Sequence, residues 1–199
     1  MAMGAHTATI MPPRLGLSMG IAIPMRTDAI LTLTQWLSPA FPVGAFAYSH
    51  GLETAIAAGE IKTVDQLEEW LRDLIVLGGG QADIVILSAA YHATAAELSE
   101  IDQTARAFAA SAERLLETEQ QGAAFARTVD AVWGTELGSL TYPVAVARAA
   151  RAEAIPLDLT ARMYLHAFAS NLISAAVRLV PLGQTDGQRL LARRAPLIQ

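Results

Sequence analysis

The 199-residue chain contains no cysteine, which removes disulfides, thiolate nucleophiles and cysteine-ligated metals and leaves only oxygen and imidazole as donors. That absence is compatible with a reducing cytoplasm, the compartment expected for the chain. Lysine is almost as scarce: of 14 basic residues only Lys62 is lysine, and it sits in neither a nucleophile nor a P-loop context. Charged residues of both signs make up only 17% of the chain. A net charge of −5, with no Lys/Arg cluster interleaved with aromatics, argues against nucleic acid as a partner. Long apolar runs are missing from residues 1–27, where Pro12, Pro13 and Pro24 interrupt every candidate, so no membrane span fits there. Leu15 to Ile23 is a glycine-interrupted stretch that makes a poor secretory signal. Residues 1–27 are expected to form a disordered leader whose true start codon is open, ahead of one all-α domain over 28–199.

What the chain has in abundance is apolar residues, 53% of the total and rich in alanine. The periodicities predict a single-domain helical bundle of about eight to ten helices, with no segment of convincing strand-like alternation. Helices are expected at Ala29–Leu37, Ala45–Ala58, from Thr63 onward with Gln66 completing a capping box, and at Ala82–Ala95 after the breaker Gly78-Gly79-Gly80. A helix capped by Ser99 with Asp102 leads into a long polar-rich stretch ending at Trp133, in which Gly122 marks either a break or a close crossing. Val144–Ala154 and a long helix from near Leu159, capped by Asp158, to about Val180 follow. The segment after Pro181 is a turn leading into an arginine-bearing end. No internal repeat of fixed period is visible.

Ser38 to Glu53, reading SPAFPVGAFAYSHGLE, is the most distinctive stretch. Two prolines stiffen it, Gly44 permits a dihedral that other residues resist, and Gly51 occupies a helix-start position where alanine saves roughly 1 kcal/mol. A close backbone approach at Gly51 is the expected reason. The stretch resembles the N-terminal signature of the UreF family of urease accessory proteins, an S-P-x-x-P-x-G turn followed by aromatic-x-Tyr-Ser-x-Gly-Leu-Glu. A second stretch, Asn171 to Gln188 with its Pro181-Leu182-Gly183-Gln184 turn, resembles the same family's C-terminal core. Glu113 to Gly122 and Tyr142 to Ala147 resemble segments between them, so the resemblance covers roughly residues 29 to 195. His50 stands where the family commonly has Gln, and Arg148 falls near a position often held by a small residue. Family chains usually continue for some tens of residues beyond this point, so the resemblance implies a missing C-terminal tail.

Chemical motifs are sparse. His50 and Glu53 at i, i+3 could offer two metal ligands or form an ordinary surface pair, with no third ligand apparent, so no metal site is assigned. His92 and His166 lie on apolar helices, where satisfied core histidines are expected. No serine sits in a G-x-S-x-G elbow or an S-x-x-K arrangement, so no catalytic residues are assigned. No Walker or G-x-G-x-x-G pattern accompanies the triple glycine, so the chain is not expected to hydrolyse GTP itself. Phe46 and Tyr48 read equally as core aromatics or exposed anchors. Glu53 either pairs within the fold or meets a partner's arginine.

The candidate partner-binding residues are Pro42, Gly44, Phe46, Tyr48, Ser49, Gly51, Glu53, Gln184 and Gln188. The resemblance implies a urease maturation chaperone, not an enzyme. It implies a homodimer that binds UreD (also called UreH), recruits the UreG GTPase and helps to pass nickel into apo-urease, with no stably bound cofactor and no membrane. The competing class is a small helical enzyme or ligand-binding bundle with a site between apolar helices.

Overall fold

The computed structural model describes residues 26–44, 48–180 and 182–198. Of the leader expected over residues 1–27, residues 1–25 lie outside the described residues, as do the Phe46 assignment and Pro181, while Arg26 and Thr27 belong to the first helix and not to a leader. The chain forms α1 (Arg26–Trp36), α2 (Leu52–Ala57), α3 (Val64–Val76), α4 (Gly79–His92), α5 (Ala95–Ala107), α6 (Ala112–Trp133), α7 (Tyr142–Ala152), α8 (Leu157–Leu179) and α9 (Gln184–Arg194), followed by a 3-10 turn over Ala195–Ile198. These nine α-helices, with no strand among the described residues, form an all-α bundle as expected.

Local chemistry sets several helix ends. Thr63 caps α3 by accepting from the Gln66 amide, while the Gln66 side chain accepts from the Lys62 amide at 2.9 Å, one residue earlier than in a standard box. Gly59, with φ of 76°, follows the end of α2 in the left-handed conformation that glycine adopts readily.

Three expectations need correction, and one stretch of open form takes its shape. The cap after α4 is Thr94 with Glu97, a complete capping box, and not Ser99 with Asp102; the apolar pattern runs through both sites and hides the earlier one. The long polar stretch that follows is a helix of its own, because Ser111 accepts from the Arg114 amide and starts α6 afresh. Pro156, not Asp158, occupies the cap of α8. The triple glycine is divided: Gly78 caps α4, and Gly79 and Gly80 form its first turn.

The core has two parts. Leu33 and Trp36 of α1, Leu87 of α4, Phe125 and Val129 of α6, Val144 to Ala150 of α7 and Tyr164 of α8 make up one. Trp36 stands edge-on to Phe125 at 5.6 Å and to Trp133 at 5.4 Å between ring centroids. Leu52 of α2, Leu67, Leu71 and Ile75 of α3, Leu172, Ile173 and Ala176 of α8, and Leu190 of α9 make up the other. Helix α8 therefore supplies both.

Close packing around α7 is bought with small side chains. A Cβ on Gly122 would run into the Leu140 carbonyl oxygen and lie 2.8 Å from both Thr141 C and Tyr142 N, so this glycine marks a crossing and not a break. Residues 64–92 taken as one stretch are long and apolar enough to cross a membrane. They divide into α3 and α4, of 13 and 14 residues. Each is shorter than the roughly 20 residues that a span requires.

Candidate functional site

Ser49 to Leu52 forms a tight turn in which the Leu52 amide donates to the Ser49 carbonyl at 2.9 Å. Its two central residues, His50 and Gly51, have φ of 52° and 84°. Both values lie in the left-handed region, the pattern of a type I′ turn, which glycine adopts readily and histidine only under constraint. Gly51 is thus required by its dihedral and not by a close approach, since a Cβ placed there meets nothing within 4 Å. The expectation of a helix from Ala45 is corrected accordingly, because regular α2 begins only at Leu52.

The turn directs His50 inward. Its ring packs against Phe168 of α8 at 4.8 Å between centroids, and its Nε2 lies 3.3 Å from Glu117 Oε1. Glu117 also accepts from Gln121 Nε2 at 2.9 Å and pairs with Arg114 at 2.9 Å. Arg114 reaches onward to both oxygens of Asp83 on α4, at 2.8 and 2.7 Å, and the Tyr164 hydroxyl donates to Asp83 Oδ2 at 2.8 Å. The result is a buried chain from α2's approach through α6 and α4 to α8, with Arg114 as its central cation.

Burial pushes the Asp83 carboxyl above its ordinary value, and the opposing pull of Arg114 and Tyr164 only partly offsets it. Glu117 moves the other way: burial disfavours its charge, but the His50 hydrogen bond and the Arg114 charge outweigh burial and hold it down. Burial likewise works against the charged form of Arg114, yet Asp83 and Glu117 together raise it further above its usual value. Burial, reinforced by the Asp83 charge, raises both Tyr164 and Tyr142.

Above this chain lies an open groove of about 880 Å³. Tyr48, Ser49, Gly51 and Glu53 line it, so four of the sequence-derived candidates come together. Tyr48 is half-buried, and its hydroxyl donates to Gln120 Oε1 at 2.9 Å. It is neither a core aromatic nor fully exposed. Glu53 is exposed on α2. Because His50 precedes the helix and turns inward, the two do not share a helix face. Pro42 and Gly44 are exposed in the preceding turn, and Gly44 has φ of 76°. Gln184 and Gln188 are exposed on α9, which packs on α3 and α8, and neither lines the groove. His92 and His166 are exposed, contrary to the core positions expected for them.

Sequence reasoning missed Asp83, Arg114 and Glu117. A lone carboxylate inside the apolar run of α4 was one available signal, since such a group has to find a partner. The i, i+3 spacing of Arg114 and Glu117 was another. No group of three or more His, Asp or Glu side chains among the described residues is placed to hold a metal ion.

Comparisons with known proteins bear on the same residues. A family model described as UreF matches residues 61–195, more than half of the chain. A urease accessory protein UreF of Roseobacter denitrificans is 60% identical over 175 residues, 88% of this chain and 79% of the relative. One from Ruegeria sp. strain TM1040 is 57% identical over 176 residues, covering 88% and 82%. A third, from Cereibacter sphaeroides strain ATCC 17025, is 52% identical over 171 residues, covering 86% and 80%. All three are named as accessory proteins and not as enzymes. The family match and these identities together establish that the chain belongs to the UreF family of urease accessory proteins.

Proposed function

We propose that the chain is an adaptor in urease maturation, working in the cytoplasm as a homodimer that binds UreD (UreH) and recruits the UreG GTPase. In this reading it couples GTP hydrolysis to the delivery of nickel into apo-urease. Nickel is cargo of the assembled complex, and the chain needs no resident ion or cofactor. The observation that carries the reading is family membership combined with the groove beside Tyr48 and Glu53, whose rim holds large apolar side chains out in solvent. Such exposure is characteristic of surfaces that await a macromolecule. The buried chain below contributes by fixing the 49–52 turn, so that one wall of the groove is preorganised before any partner arrives.

The test is reconstitution. The purified chain is mixed with UreD, UreG, apo-urease, GTP and nickel, and complex formation and urease activity are followed. Co-elution with UreD and UreG and nickel-dependent activation are expected. If the folded chain captures neither protein, the adaptor reading fails.

A further inference from the structure

Two of the most exposed apolar side chains in the described structure face the same space. Leu77 is 80% exposed and Phe108 is 72% exposed, and both line the groove. Each sits at the C-terminal cap of its helix, α3 and α5 respectively, a position where a polar residue is easily accommodated. Local helix chemistry therefore gives no reason for a large apolar group at either place.

The charges of the groove are unbalanced. Arg114 is fully engaged by Asp83 and Glu117. Glu53 and Glu113 are exposed along the lining and enter no ion pair among the described residues. An occupant that covered Leu77 and Phe108 would gain from burial of apolar area. It would also bring its own charges against Glu53 and Glu113, so cations would be favoured and carboxylates repelled.

We propose that the groove docks a segment of a partner protein that carries arginine or lysine next to a large apolar side chain. The apolar group seats between Leu77 and Phe108, and the cations face Glu53 and Glu113. This inference rests on the adaptor reading and adds the chemistry of the docked segment.

A photo-crosslinking residue, p-benzoylphenylalanine, placed at Ala109 on the groove wall identifies the occupant in the reconstituted complex with UreD and UreG. The expected product is a partner peptide with a basic residue within about one helical turn of an apolar one. A cross-link confined to residues 1–25 of this chain, to a second copy, or to a partner peptide without a basic residue overturns the proposal.

Binding measurements supply an independent arm. Leu77→Ser with Phe108→Ser is expected to weaken capture of the partner by at least about 10-fold, the scale of an interface anchor. Glu53→Gln with Glu113→Gln is expected to weaken it by about 3-fold and to reduce its salt sensitivity. All four positions are exposed, so thermal melts of the variants should match the parent chain. If the parent chain captures its partner and neither double variant weakens that capture, the groove proposal alone is wrong. Failure of the parent chain to capture any partner sinks the adaptor reading and this proposal together.

Discussion

His50 Nε2 lies 3.3 Å from Glu117 Oε1, and the histidine reaches that position only by adopting a positive φ of 52°. A non-glycine residue in this region costs on the order of 1 kcal/mol, so the contact with Glu117 and the packing on Phe168 hold the turn against its own strain. His50→Ala should keep the fold but loosen the turn, with a global loss of about 1 kcal/mol. Hydrogen exchange at the Leu52 amide, which bonds Ser49, should accelerate more than that at α3 amides. Unchanged Leu52 protection would rule out the tethering role.

Arg114 pairs with both buried carboxylates, so its removal leaves Asp83 with only the Tyr164 hydroxyl and Glu117 with only His50 and Gln121 among the described residues. Arg114→Met should destabilise by about 3–5 kcal/mol, because truncating one member of a buried ion pair strands the others. Denaturant unfolding measures this directly. A loss under about 1 kcal/mol would mean that water reaches Asp83 and Glu117 freely.

The two carboxylates should respond to pH with opposite sign. Glu117 is held below its ordinary value of 4.5, so its stabilisation is fully present above that pH and disappears as pH falls through the lowered folded value. Asp83 is raised above 3.8, so its cost is absent below that pH and grows as pH rises through the folded value. The stability gap between the parent chain and Glu117→Gln should therefore shrink on acidification. Relative to Asp83→Asn, the parent should gain ground on acidification. Melts between about pH 3 and 7 would show both trends.

Gly122 and Gly79 should behave as opposites under the same substitution. Gly122→Ala forces a methyl group into the backbone at Leu140 to Tyr142 and should cost at least about 3 kcal/mol or prevent soluble folding. Gly79 has no positive φ, and an added Cβ meets only His50 Nδ1 at 3.9 Å, so Gly79→Ala should be neutral or stabilising by up to about 1 kcal/mol. Comparison of the two melting temperatures checks the pair.

The helical class and most helix positions were legible because they depend on local patterning: the Thr63 cap of α3 and the glycine break that separates α3 from α4 both follow from short-range chemistry. The Ser111 restart was harder to read, since α5 and α6 share a similar polar composition and only a four-residue interruption separates them. Gly51 was recognised as costly but for the wrong reason, because a dihedral requirement and a close approach leave the same mark on a sequence. At the candidate site, the motif singled out Tyr48, Ser49, Gly51 and Glu53, which line one groove, while the inward turn of His50 was not legible. Nor was the chain of Asp83, Arg114 and Glu117, since Asp83 and Arg114 are separated by 31 positions and meet only when α4 and α6 pack around α7. Leu77 and Phe108 gave no signal, because exposure is decided by what fails to cover a side chain.

Helix α8 places Tyr164 in one cluster and Leu172 and Ile173 in the other. Neither half can melt alone without fracturing a continuous 23-residue helix in its middle. The two cores are therefore thermodynamically joined and behave as one cooperative unit. A ligand that grips the folded chain at the groove thus also protects α9, although Gln184 and Gln188 never touch it.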